Sequence, residues 1–115
     1  MGTIIYHNSR CSKSRATLAI LEENGINFEV INYLNNPPSA DELKGLIVDL
    51  GIDTRSLMRK GESAYSENNL SEPSLSDDDL VNAMVANPIL IERPIVKTEN
   101  GVVIGRPPEN VLSII

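Results

Sequence analysis

The chain has one cysteine, one histidine and no tryptophan, and its 115 residues include one phenylalanine and three tyrosines. A lone cysteine excludes an internal disulfide, and together with one histidine it cannot supply the four ligands of a structural zinc site. Any redox chemistry at Cys11 therefore needs a thiol from outside the chain. The four aromatics Tyr6, Phe28, Tyr33 and Tyr65 are too scattered for an aromatic interface hot spot, so a monomer is expected. No stretch approaches the roughly 18 apolar residues of a membrane span. The opening MGTIIYHNSRC meets His7 and Arg10 before a signal-peptide core could be complete. A cytoplasmic protein, working where thiols stay reduced, is the expectation, with no membrane partner.

The net charge of −6 disfavours nucleic acid as a partner, since phosphate contacts need a positive surface. Its distribution is uneven. Residues 1–21 hold Arg10, Lys13 and Arg15 and no acid, while all 16 acids lie from Glu22 onward. Cys11 thus sits in a local positive field within an acidic chain.

Length and ordinary composition give one domain over residues 1–115. Thr3 to His7 reads as a strand, Ser12 to Asn24 as a helix with Leu18 and Leu21 on one face and Gly25 beyond its end, and Phe28 to Tyr33 as a second strand. The short connections suit a parallel strand-helix-strand unit. After Pro37-Pro38, Ser39 and Glu42 form a capping box ahead of Leu43, Leu46, Ile47 and Leu50, with Gly51 as the stop. A helical turn is expected from Thr54 to Lys60, then a polar loop, GESAYSENNLSEPS. Ser76 next caps a helix through Leu80, Val81, Met84 and Val85 that ends at Asn87-Pro88. Residues 38–88 therefore form a helical insertion. Ile95-Val96-Lys97 and Val102-Val103-Ile104 flank the hairpin signal Asn100-Gly101, and Val111, Leu112 and Ile115 give an apolar face to a last helix. The order β-α-β, helical insertion, β-β-α is that of an α/β thioredoxin-like fold with a four-stranded mixed sheet.

Cys11 lies four residues beyond the first strand, where the first helix opens. Free N–H groups at a helix N-terminus carry partial positive charge and favour a thiolate or a bound oxyanion. With Arg10, Lys13, Arg15 and His7 nearby, and polar flanks that suit an exposed loop, Cys11 reads as a reactive nucleophile and not as a small buried hydrophobe. His7 either stabilises the thiolate or is a strand-end histidine satisfied locally. Ser14 either donates to the sulfur or favours the helix end. A phosphatase-type loop requires five residues between cysteine and arginine, and that spacing reaches Thr17, so this class is disfavoured.

The segment His7-Asn8-Ser9-Arg10-Cys11-Ser12-Lys13-Ser14-Arg15 resembles the His-x3-Cys-x3-Arg signature of glutaredoxin-dependent arsenate reductases, in a branch carrying Arg-Cys-Ser-Lys-Ser-Arg. Leu57-Met58-Arg59-Lys60-Gly61, Asn87 to Val96 and Gly105-Arg106-Pro107-Pro108-Glu109 resemble three further blocks of that family, so the likeness covers nearly the whole chain. It implies Cys11 as nucleophile, Arg59, Arg93 and Arg106 as the oxyanion clamp, and Pro94 as a cis-proline facing the cysteine. It implies glutathione as co-substrate, glutaredoxin as partner, arsenate or a related oxyanion as substrate, and no bound cofactor or metal. Arginine suits the role, because its planar fork binds tetrahedral oxyanions bidentately. Two other functions fit the same fold. Regulators that dock on RNA polymerase are one, although a Cys-x-x-Cys disulfide switch is excluded by Ser14. A monothiol glutaredoxin-like protein is the other, suggested by Cys11-x-x-Ser14, although it would not need three arginines.

Overall fold

A four-stranded mixed sheet of order β2-β1-β3-β4 organises the N- and C-terminal parts of the chain. The computed structural model describes residues 2–115. Strand β1 (Thr3–His7) lies parallel to β2 (Phe28–Asn32) and antiparallel to β3 (Ile95–Thr98), and β3 pairs with β4 (Gly101–Ile104) across the expected hairpin. This is the α/β, thioredoxin-like arrangement that the strand-helix-strand pattern predicts. The chain divides into two compact units, one running to Asn36 and resuming at Arg93–Ile115, the other Pro37–Glu92.

In the sheet unit, helix α1 (Ser12–Glu23) follows β1 and buries Ser14, Thr17 and Leu21, a stripe at helical spacing whose leading half is polar. Leu21 joins Ile5, Val96, Val111 and Ile114 in the core, and Leu18 packs against that cluster. The last helix is a 3-10 segment, Pro108–Ser113, instead of the expected α-helix. Its buried residue Val111 and the buried Ile114 just beyond it are three apart, the 3-10 period, while Leu112 is half exposed. Asn100 Nδ2 and Thr98 Oγ1 both donate to the Ile114 carbonyl, tying the chain end to the hairpin.

The insertion unit contains α2 (Ala40–Leu50), α3 (Ser63–Glu67) and α4 (Asp77–Ala86), with 3-10 turns at Thr54–Leu57 and Pro88–Leu90. Ser39, Gly51 and Ser76 cap where the sequence predicts: Ser39 accepts from the Glu42 N–H, one half of the expected capping box, Gly51 ends α2 at φ 69°, and Ser76 caps α4, where Asp79 completes a reciprocal box not expected from the sequence. Two details differ. The turn after Asp53 stops at Leu57, short of Lys60, because Met58 pairs with Ile91 in an isolated antiparallel bridge. The polar stretch expected as loop contains α3, anchored by the buried Tyr65. Arg55 secures the segment beyond α3, donating to the Tyr65 hydroxyl and to the Leu70 and Glu72 carbonyls. Among the described residues no helix is long and apolar enough to cross a membrane.

Candidate active site

Topology gathers the site of the sheet unit at one end of the sheet. The Cys11 loop leaves the C-terminal end of β1. Because β3 runs antiparallel, its first residue, Ile95, pairs with Tyr6 at that same end, and Ile95 also pairs with Ile104, the last residue of β4. Arg93-Pro94 just before β3 and Gly105-Arg106 just after β4 are therefore delivered to the end from which Cys11 departs. Ligands of open α/β sheets are met there, beyond the strand ends.

Cys11 is the N-cap of α1, with extended backbone and no side-chain cap bond, and the first turn of α1 carries no acid. Its own N–H donates to the Asn8 carbonyl at 3.0 Å, and Asn8 Oδ1 accepts from the Arg10 N–H at 3.0 Å, closing a tight loop. The unshared amides of the first turn are left beside the sulfur position, where they favour an anion. The exposed setting inferred from the polar flanks holds for Ser9, Arg10, Ser12 and Lys13 but not for Cys11 itself, which is 9% exposed. The polar partner of Sγ is Arg106 Nη1 at 3.9 Å, and the same nitrogen donates to the Arg93 carbonyl at 3.3 Å. Arg106 thus faces the sulfur while anchored on the residue before Pro94. The Arg93-Pro94 peptide bond is cis, as is Arg106-Pro107.

Arg93 is the unusual member. Its Nε and Nη1 are buried and have no hydrogen-bond partner among the described residues. Buried guanidinium donors without acceptors are costly, and an anion bound there would supply an acceptor.

His7, Ser14 and Arg15 bond to one another's surroundings in the Cys11 loop: His7 with Ser14, Ser14 with Asn8, and Arg15 with Ser9. The Ser14 hydroxyl is fully buried, accepts from the Asn8 N–H at 3.0 Å and sits 2.7 Å from His7 Nδ1. The hydroxyl thus bridges the His7 ring and the Asn8 backbone at the base of the Cys11 loop. His7 lies below its ordinary value of 6.5, through burial first and the nearby Arg15 charge second. Arg15 donates to the Ser9 carbonyl at 2.9 Å and braces the loop.

The sign of the His7 shift sets a pH dependence. An unfolded chain binds the His7 proton more readily, so stability is full above pH 6.5 and falls as pH drops through the lowered folded value. Thermal unfolding followed from pH 8 to pH 5 is expected to show this loss, and His7→Gln to flatten it. An unchanged slope in the variant would remove His7 as the cause.

Arg59 belongs to the insertion unit. There it pairs with Glu62, lies 3.6 Å from Glu92 Oε1, and its backbone N–H donates to the Leu90 carbonyl at 2.7 Å. Among the described residues no group of three or more His, Cys, Asp and Glu could hold a metal ion.

A family model described as the ArsC family matches residues 6–114, spanning every segment of this site. The chain belongs to the ArsC family. Over 112 residues it is 53% identical to YfgD, an uncharacterized protein of Escherichia coli K12, with 96% of this chain and 94% of that protein covered. It is 49% identical over 111 residues to an arsenate reductase of Acidiphilium multivorum, covering 96% of this chain and 79% of the relative. An arsenate reductase structure from Vibrio cholerae superposes with a TM-score of 0.96 at 52% identity, covering 100% of this chain and 98% of that one.

Two positions that shape this ArsC-family site escape a reading of the sequence. Thr17 and Gly105 meet beneath Arg106, with Thr17 Oγ1 3.4 Å from the Gly105 carbonyl although 88 positions separate them. Neither carries a local signal, because a threonine in a helix and a glycine after a strand are both commonplace.

Proposed function

We propose that this protein reduces arsenate to arsenite, with Cys11 as nucleophile and glutathione and glutaredoxin supplying the electrons. The observation that carries the reading is Arg93, whose buried Nε and Nη1 lack partners among the described residues, at the sheet end that also presents Cys11 and Arg106. A doubly charged tetrahedral oxyanion supplies acceptors to such donors and screens the two guanidinium groups from each other. The arsenate reductase relatives support the choice of arsenic as the central atom.

The Cys11 thiolate attacks arsenic and an arsenate oxygen leaves as water after protonation. Glutathione then attacks, and formation of the sulfur–sulfur bond transfers two electrons to arsenic, so that arsenite leaves and Cys11 is held as a mixed disulfide with glutathione. Glutaredoxin removes the glutathionyl group by thiol exchange. The single cysteine fits this division of labour, since the resolving thiols come from outside. The family resemblance also assigns Arg59 to the oxyanion; its guanidinium is already paired with Glu62 and Glu92, so the oxyanion would have to displace a carboxylate.

The test is NADPH consumption by purified protein with arsenate, glutathione, glutaredoxin and glutathione reductase. Turnover is expected with arsenate and none with phosphate, which binds alike but cannot be reduced. Absence of arsenate turnover in a folded protein whose Cys11 still alkylates at neutral pH would overturn the reading.

A further inference from the structure

The backbone that carries Arg106 makes a sharp exit from β4. The Arg106 N–H donates to the Ile104 carbonyl at 2.9 Å, closing a three-residue turn centred on Gly105, while the Gly105 N–H donates to the Pro94 carbonyl at 2.9 Å. Gly105 is buried between two side chains of the sheet unit. A Cβ placed on it would lie 2.5 Å from Thr17 Oγ1, 2.8 Å from Pro94 Cγ and 3.1 Å from Thr17 Cγ2. Two of these separations are shorter than atoms tolerate, and neither neighbour can step aside easily. Thr17 is wholly buried in α1 with its hydroxyl bonded to the Lys13 carbonyl at 2.9 Å, and Pro94 is a ring on the strand entry. The glycine is required here by close approach, because no positive φ distinguishes it.

We propose that Gly105, clamped between Thr17 and Pro94, is the positioning residue that sets the reach of Arg106 to Cys11. The next residue along is Arg106, whose Nη1 lies 3.9 Å from Sγ and 3.3 Å from the Arg93 carbonyl. Any outward shift of the turn moves that guanidinium off the sulfur. Thr17 acts from the other side: it belongs to the helix whose N-cap is Cys11, so one threonine fixes the helix and the turn relative to each other. The proposal rests on the reading of Arg106 as the cation facing the reactive sulfur, and its test does not use arsenate.

Because Cys11 is the sole thiol, alkylation rates report one site. Iodoacetate is an anion and iodoacetamide is neutral, so the ratio of their rates measures the positive field at Sγ independently of general access. Arg106→Ala is the reference and is expected to lower the ratio at least about fivefold, the scale of one cation about 4 Å away even under water-like screening. Gly105→Ala is expected to lower it several-fold toward that reference. Thr17→Ala, which opens the clamp, is expected to lower it by a smaller factor. The double variant Thr17→Ala/Gly105→Ala places the new methyl in the space Thr17 vacates and is expected to recover at least half of the loss, a non-additivity that a general loss of stability would not produce. Thermal unfolding identifies the folded variants, and if Gly105→Ala alone does not fold, Thr17→Ala and the double variant decide. A folded Gly105→Ala with the wild-type ratio would overturn the proposal, as would equal ratios in wild type, Thr17→Ala and the double variant. An unchanged ratio in Arg106→Ala would overturn it through its premise, and arsenate turnover by the wild type separately decides whether the proposed function stands.

Discussion

Cys11→Ser is expected to reduce arsenate turnover at least a thousandfold, to the background of the assay, the scale on which removal of an enzymatic nucleophile acts. Serine fits the site physically: Cys11 is an N-cap with no side-chain cap bond, and serine is among the preferred N-caps. The variant should therefore fold at least as stably as the parent, with a gain of about 0.5 to 1 kcal/mol if its hydroxyl takes up a first-turn amide. What serine lacks is the chemistry. An alcohol at neutral pH is a poor nucleophile toward arsenic, and no oxygen–sulfur bond can replace the mixed disulfide through which electrons pass. No other cysteine can take over. NADPH consumption and thermal unfolding measured on the same preparation check both halves. Residual turnover above about one per cent in a folded variant would mean that Cys11 is not the nucleophile.

Much of this architecture is written in local patterns. The β1 and β2 strands, the capped α2 and α4, and the Asn100-Gly101 hairpin each depend on near neighbours, so propensity, capping and periodicity reveal them. The short α3 hides in polar sequence because one buried tyrosine holds it. The last helix reads as α from Val111, Leu112 and Ile115, yet burial of Val111 and Ile114 selects a 3-10 period. Within the site, the basic segment around Cys11 is legible from charge and from its place after a strand. The division of labour inside it is not. His7 and Ser14 look like partners for the sulfur, and the bonds that Ser14 makes to His7 and to the Asn8 N–H carry no local sequence signal. The clamp of Thr17 and Pro94 on Gly105 is invisible for a different reason: steric crowding between residues far apart in the chain leaves no trace in the pattern of either segment.

Arg93 is where activity and stability are expected to move in opposite directions. Loss of a donor that meets developing negative charge typically costs about 10² to 10³ in rate, and Arg93 offers two buried donors, so Arg93→Met should lower kcat/KM for arsenate at least a hundredfold. The same donors are a burden on the empty protein, because a buried guanidinium without acceptors forfeits its hydration. Methionine keeps much of the volume of the arginine stem and removes that burden, so the Tm of Arg93→Met in oxyanion-free buffer should rise above that of the parent. Added arsenate should then raise the Tm of the parent by mass action and leave the variant nearly unmoved. Arg93→Lys separates charge from geometry: a point charge without the planar fork should restore only part of the arsenate effect. A variant that is destabilised without oxyanion, and still gains Tm with arsenate as the parent does, would show that Arg93 is held by its own fold and not kept for a ligand.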